Sequence, residues 1–188
     1  MDAIAVYKKA VDQTGRIVGA VKPNQFGDAT PCDDWDVRAL LNHTIAVAKA
    51  FGDAAGGKPF DFSLFAEGVD NVGSDPGSAY DDAAKTIHSA LASPGVLDGN
   101  WHMPFGEVPA SIAIGFCTLE LSQHGWDVAR ATGQKVDFDP EVGEVAMATA
   151  QAAPAEQVRV PGVFGQASDC PESAPLQDRI AAFLGRKV

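Results

Sequence analysis

The stretch Phe116-Cys117-Thr118-Leu119-Glu120-Leu121-Ser122-Gln123-His124-Gly125-Trp126-Asp127 sets a carboxylate and an imidazole four residues apart inside an apolar helical pattern. Positions four apart share one face of an α-helix, so Ile112, Phe116, Glu120, His124 and Val128 form a single row, apolar at both ends and ionisable in its middle. Burying an unpaired carboxylate is costly, so a Glu in such a row is expected to be ion-paired, protonated or bound to a metal. A Glu and a His one turn apart can reach the same divalent ion. Zinc accepts carboxylate oxygen and imidazole nitrogen at about 2.0–2.2 Å and usually needs a further protein ligand. The candidate for that ligand lies upstream, at His43.

His43 falls three residues after Leu40 and four before Val47, within the stripe Val37, Leu40, Leu41, Thr44, Val47, Ala48 and Phe51. It is therefore expected to face the interior. Asp36 is placed to cap this helix, which should end at Gly56-Gly57. Apolar spacing predicts a first helix over residues 2–22, stopped by Pro23, and a loop from Asn24 to Asp36. Lys58 to Pro76 reads as a long connection packed by Phe60, Phe62, Leu64 and Phe65. A third helix is expected from Ser78 to Ala92. The segment 99–106 reads as a turn-rich aromatic link, and Pro109 falls in the first turn of the helix that carries Glu120 and His124 and ends near Gly133. Beyond it, a short helix from Pro140 to Ala152, an extended piece at 158–162 and a terminal helix over 176–184 are expected.

Composition sets the bounds. The chain has 188 residues, 46% of them hydrophobic and 21% charged, which fits one soluble domain with a proper core. No apolar run approaches the roughly 20 residues of a membrane span, and the N-terminus lacks the basic-then-apolar order of a signal peptide. A cytoplasmic protein is expected. Its net charge of −11 works against polyanions and excludes nucleic-acid binding as the main role. Three cysteines, Cys32, Cys117 and Cys170, cannot all pair, and no C-x-x-C spacing occurs.

Four long amphipathic helices predict an all-α four-helix bundle with site residues projecting inward. Thr30-Pro31-Cys32-Asp33-Asp34-Trp35-Asp36-Val37-Arg38, Leu40-Leu41-Asn42-His43, and Glu120 to His124 running into Gly125-Trp126-Asp127-Val128-Ala129-Arg130-Ala131-Thr132-Gly133 carry a resemblance. They resemble the DinB/YfiT-like metal-binding superfamily, in the branch of the N-terminal domain of mycothiol-dependent maleylpyruvate isomerase. Segments 160–165 and 176–186 resemble the same branch, so 1–188 is expected to be one domain, a bundle over 1–133 with a C-terminal extension over 134–188.

The resemblance implies a divalent metal, zinc first, held by His43, Glu120 and His124, with an open position for the thiol of mycothiol. It implies a thiol-dependent transferase or isomerase acting on a small thiol and an electrophile. The isomerase carries a further α/β domain, for which these 188 residues leave no room. The competing expectation is a non-catalytic metal-binding module, of stress or regulatory type, that forms a homodimer through its helix faces.

Several residues admit two readings. By spacing alone, Glu120 and His124 also fit a surface pair or a satisfied core network, and His43 a core histidine bonded to a carbonyl. Asp127 is placed either to orient an imidazole or to pair with Arg130 three residues on. Trp35 and Trp126 are expected either to wall a cofactor pocket or to serve as core. His88 and His102 are reserve ligands. Cys32 sits beside acids, which raise a thiol pKa and disfavour nucleophilic use.

Overall fold

The computed structural model describes residues 1–32, 34–153, 159 and 164–188. These are mostly helical, with six α-helices and one two-stranded hairpin among the described residues. The extended piece expected at 158–162 lies outside them, apart from Arg159.

Carboxylates define most helix starts. Asp2 caps α1 (Ala3–Gly19) by accepting the amides of Ile4 and Ala5, and Asp36 caps α2 (Val37–Ala55) by accepting the Ala39 amide at 2.8 Å. Asp75 caps α3 (Pro76–Leu91), which begins two residues before the expected Ser78 because Pro76 takes the first helical turn. Pro140 does the same in α5 (Pro140–Ala152), behind Asp139. The first helix ends at Gly19, three residues short of the prediction, and the chain turns through a short 3-10 segment at Pro23–Gln25. Another such turn, Phe62–Phe65, lies within the long connection 58–75.

The aromatic link is a hairpin rather than a plain turn. β1 (Asn100–Met103) pairs antiparallel with β2 (Gly106–Pro109), Trp101 opposite Val108, around Pro104-Phe105 and a Gly106 at φ 114°. Pro109 is thus the last strand residue and immediately precedes α4 (Ala110–Thr132), outside the first turn where it was expected. That helix ends at Gly133 in the left-handed conformation, φ 69°.

Helix α1 packs on α3 and α4, and α2 packs on the same two helices from the other side. Outside this set, α5 and α6 (Leu176–Phe183) cover α4. A second cluster of Leu119, Ala146, Ala150, Phe164, Ile180 and Leu184 fixes them there. This explains why α4 is apolar nearly all round. One stripe serves the inner core and another serves the C-terminal extension.

Gly125 sets how closely α1 approaches α4. A Cβ at that position would lie 2.8 Å from both Thr14 Oγ1 and Phe138 Cζ, and Thr14 uses the proximity to donate to the Leu121 carbonyl at 2.9 Å. The contact pins the turn of α4 that carries His124. The row around it differs from the expectation at one end: Val128 is buried, but Ile112 is 61% exposed. Among the described residues no helix is long and apolar enough to cross a membrane.

Candidate metal centre

Three side chains from two helices converge. His43 comes from α2, held inward by the buried Leu40 and Val47 on its own face, and Glu120 and His124 come from successive turns of α4. One donor atom from each lies within 4.8 Å of the others. The two imidazole rings meet edge to face with centroids 4.9 Å apart.

Within this group, polar atoms are left without hydrogen-bond partners. Glu120 Oε1 stands 3.7 Å from His124 Nε2, too far for a hydrogen bond, and the buried Glu120 Oε2 has no partner at all. Buried polar atoms normally find partners, and leaving one unmade costs about 1–3 kcal/mol. Two ligands bound tetrahedrally at about 2.1 Å from one zinc ion would stand about 3.4 Å apart, close to the gap observed. Two imidazoles and a carboxylate are also a donor set suited to that ion. The residues fit a divalent metal.

Behind His124 lies a second layer. Its Nδ1 is 3.3 Å from Asp127 Oδ2, near enough for an ion pair but not aligned as a hydrogen bond. Asp127 is fully buried and accepts from Arg186 Nε at 3.0 Å, Arg186 Nη2 at 3.1 Å and Gln123 Nε2 at 3.2 Å. Arg186 Nη2 also lies 3.4 Å from Cys32 Sγ. Cys32, His124 and Asp127 form a second group with metal-ligand spacing, but it already contains a cation, the guanidinium of Arg186.

The electrostatics follow. Burial lowers the His43 pKa to about 4, with the neighbouring His124 acting in the same direction. His124 is buried too, yet Asp127 and Glu120 outweigh that cost and raise it to about 9. Burial pushes the Glu120 carboxyl up, but His124, His43 and Arg186 together hold it below its ordinary value. Burial first, and then Asp127, pushes Cys32 up to about 12. The direction for Cys32 is the expected one, but its causes are burial and Asp127.

Residues 7–129 match the family described as the mycothiol maleylpyruvate isomerase N-terminal domain. The chain belongs to this DinB-like family. The matched span includes His43, Glu120, His124 and Asp127 but ends well before Arg186. Two Mycobacterium tuberculosis proteins, named Uncharacterized protein MT0763 (strain CDC 1551 / Oshkosh) and Uncharacterized protein Rv0738 (strain ATCC 25618 / H37Rv), are each 33% identical over 189 residues. Both alignments cover 100% of this chain and 100% of the relative. No solved structure gives a significant match.

In this member of the isomerase N-terminal domain family the two tryptophans part company. Trp35 lies beside the donors, its ring 4.7 Å from His43 and 6.2 Å from His124. Thr30 fixes its loop, donating to the Trp35 carbonyl at 2.7 Å. Trp126 is buried on another face of α4, where its Nε1 donates to Asp178 at 2.8 Å and Arg130 lies over its ring at 5.4 Å. That removes Arg130 from Asp127, so the alternative i, i+3 pair does not form. His88 binds Asp12 at 2.8 Å and His102 stands 3.6 Å from Glu107 on the hairpin; among the described residues neither joins a metal-ligand group. Cys117 is buried and Cys170 half-buried, both free.

Spacing alone does not reveal Arg186, or the thiol of Cys32 donating to Asp127 Oδ2 at 3.5 Å. The available signal was Asp127 itself, a carboxylate in an apolar helix that had to find a cation.

Proposed function

We propose that the protein binds a divalent metal, zinc first, through His43, Glu120 and His124, and serves as a thiol-dependent transferase or isomerase using mycothiol or a similar small thiol. The observation that carries the metal is the convergence of the three donors, with a buried Glu120 oxygen that has no other partner; the thiol part of the reading is supported by membership of the mycothiol maleylpyruvate isomerase N-terminal domain family. Helices α1 to α4 are read as the four-helix bundle that supplies the rigid frame, because α1 and α2 each pack on both α3 and α4. The whole of 1–188 is read as one domain, since Arg186 of the extension reaches the layer behind His124.

When bound, the metal would favour thiolate over thiol at neutral pH. The chain's own residues do the rest. Three protein ligands leave a position for the thiol. Asp127, tethered by Arg186 and Gln123, stands 3.3 Å from His124 Nδ1, where a small rotation of the ring would let the carboxylate orient it, and Trp35 shields the donors on one side. With an epoxide the overall reaction is balanced: sulfur bonds to carbon, the C–O bond breaks, and the proton of the thiol ends on that oxygen. A cytoplasmic location belongs to the same reading, because small thiols are kept reduced there.

Cobalt substitution tests it. Adding a thiol to the cobalt-loaded protein should produce an intense sulfur-to-metal charge-transfer absorption that the corresponding alcohol does not. Identical spectra with thiol and alcohol would leave the non-catalytic metal-binding module as the better reading.

A further inference from the structure

Away from the chain ends, the exposed large apolar side chains among the described residues are Phe62, Val69, Phe105 and Ile112. Three of them border one arc of aromatic rings that begins at the metal donors. Phe65 meets His43 edge-on at 5.7 Å, and Phe60 stacks on Phe65 at 5.6 Å with planes 11° apart. Phe62, 62% exposed, lies 5.0 Å from Phe60. At the other end Phe105, 59% exposed, stands edge-on to Phe116 at 5.1 Å. Phe116 precedes Glu120 by one turn of α4, and Ile112 precedes Phe116 by another. Exposure falls along this face from 61% at Ile112 to 17% for the Glu120 side chain and 6% for that of His124. Buried Phe51 joins the two ends from beneath, its ring 6.5 Å from Phe60 and 6.2 Å from Phe116, so the apolar arc reaches the donors from both ends and opens to solvent at Phe62, Phe105 and Ile112.

Charge narrows what it can hold. The cations of the surrounding segments are engaged: Arg38 with Asp70 at 3.0 Å, Lys58 with Asp53 at 2.7 Å, Lys49 with the Asn71 amide at 3.2 Å, and Arg186 with Asp127. With the open metal position taken by the thiolate, a dicarboxylate entering here would exchange water for aromatic edges without gaining a free side-chain cation. A flat apolar ring would gain edge-to-face and stacked contacts with side chains that otherwise face water.

We propose that this aromatic arc is the seat of the second substrate, and that it accepts a neutral electrophile carrying a planar apolar group rather than a dicarboxylate. The assignment rests on the thiol-transfer reading for the identity of the first substrate.

The test uses the full chain loaded with zinc and 2-naphthol as an unreactive probe, followed by saturation-transfer NMR and titration. Naphthol should bind saturably. Phe62→Ala and Phe105→Ala, both at exposed positions, should each weaken it by about three- to tenfold, with circular dichroism and zinc content unchanged. Maleate should not displace it. Absent binding, binding indifferent to both substitutions, or displacement by maleate overturns the proposal. So does dimerisation by sedimentation that either substitution abolishes, because the arc would then be an interface between copies. Naphthol bound at the arc by a protein that takes up no zinc overturns the metal reading alone, so the two failures are distinguishable.

Discussion

Arg186 grips both carboxylate oxygens of Asp127, Nε to Oδ1 at 3.0 Å and Nη2 to Oδ2 at 3.1 Å, across 59 residues of sequence. Asp127 is fully buried and the Arg186 side chain is only 10% exposed. The pair ties the end of the C-terminal extension to the helix turn that bears His124. Such a bidentate contact combines charge with a fixed geometry that a lysine could not reproduce.

Arg186→Ala should therefore strand a buried carboxylate and destabilise the protein by about 3–5 kcal/mol. Denaturant unfolding checks the size. Adding Asp127→Asn to Arg186→Ala should recover part of the loss, because the stranded charge is removed. A loss below about 1 kcal/mol for the single variant would show that water reaches Asp127 and that the extension is not anchored there.

Zinc uptake should separate ligand from supporting residue. Glu120→Ala should abolish stoichiometric zinc by elemental analysis, whereas Asp127→Ala should weaken affinity by about 10–100-fold and retain the site. Equal losses in the two variants would count against the assigned roles. Unfolding curves must accompany both, since metal binding and folding are linked.

Much of this is legible from spacing; the rest depends on strands too short to carry a period or on partners distant in sequence. His43 faces inward because its neighbours Leu40 and Val47 obey the helical period, and Asp36 caps α2 because a short carboxylate reaches a free amide. The hairpin at 100–109 is not legible in the sequence because two four-residue strands separated by Pro104-Phe105 carry too few alternations to register. Trp35 and Trp126 look equivalent in sequence. Only the position of Asp178, brought in by α6, turns Trp126 to the extension. Local spacing likewise offered Arg130 to Asp127, but burial selected a cation from the chain terminus.

Metal affinity should depend on pH with a defined sign. In the metal-free protein His124 is held at about 9 and is protonated at neutral pH, whereas His43, near 4, is already neutral. A ligand must be neutral to bind, so uptake at neutral pH should expel about one proton, from His124. Affinity should rise about tenfold per pH unit through neutrality and level off as pH passes about 9. Calorimetry in buffers of different ionisation enthalpy counts the proton. A count of zero would contradict the charge assigned to His124.

The approach of α1 to α4 gives a packing prediction. Gly125→Ala would put a methyl group 2.8 Å from Thr14 Oγ1 and Phe138 Cζ, and should cost about 1–3 kcal/mol through forced displacement. Thermal unfolding of the metal-free variant measures it. An unchanged midpoint would mean that Phe138 moves aside freely.

Zinc-edge X-ray absorption of the zinc-loaded protein, before any thiol is added, reads the ligand set itself. Nitrogen and oxygen scatterers are expected at about 2.0–2.2 Å, with the outer-shell signature of two imidazoles and no sulfur. A sulfur scatterer at about 2.3 Å in that sample would place the ion on Cys32, in the group that Arg186 occupies, and would contradict the site built from His43, Glu120 and His124.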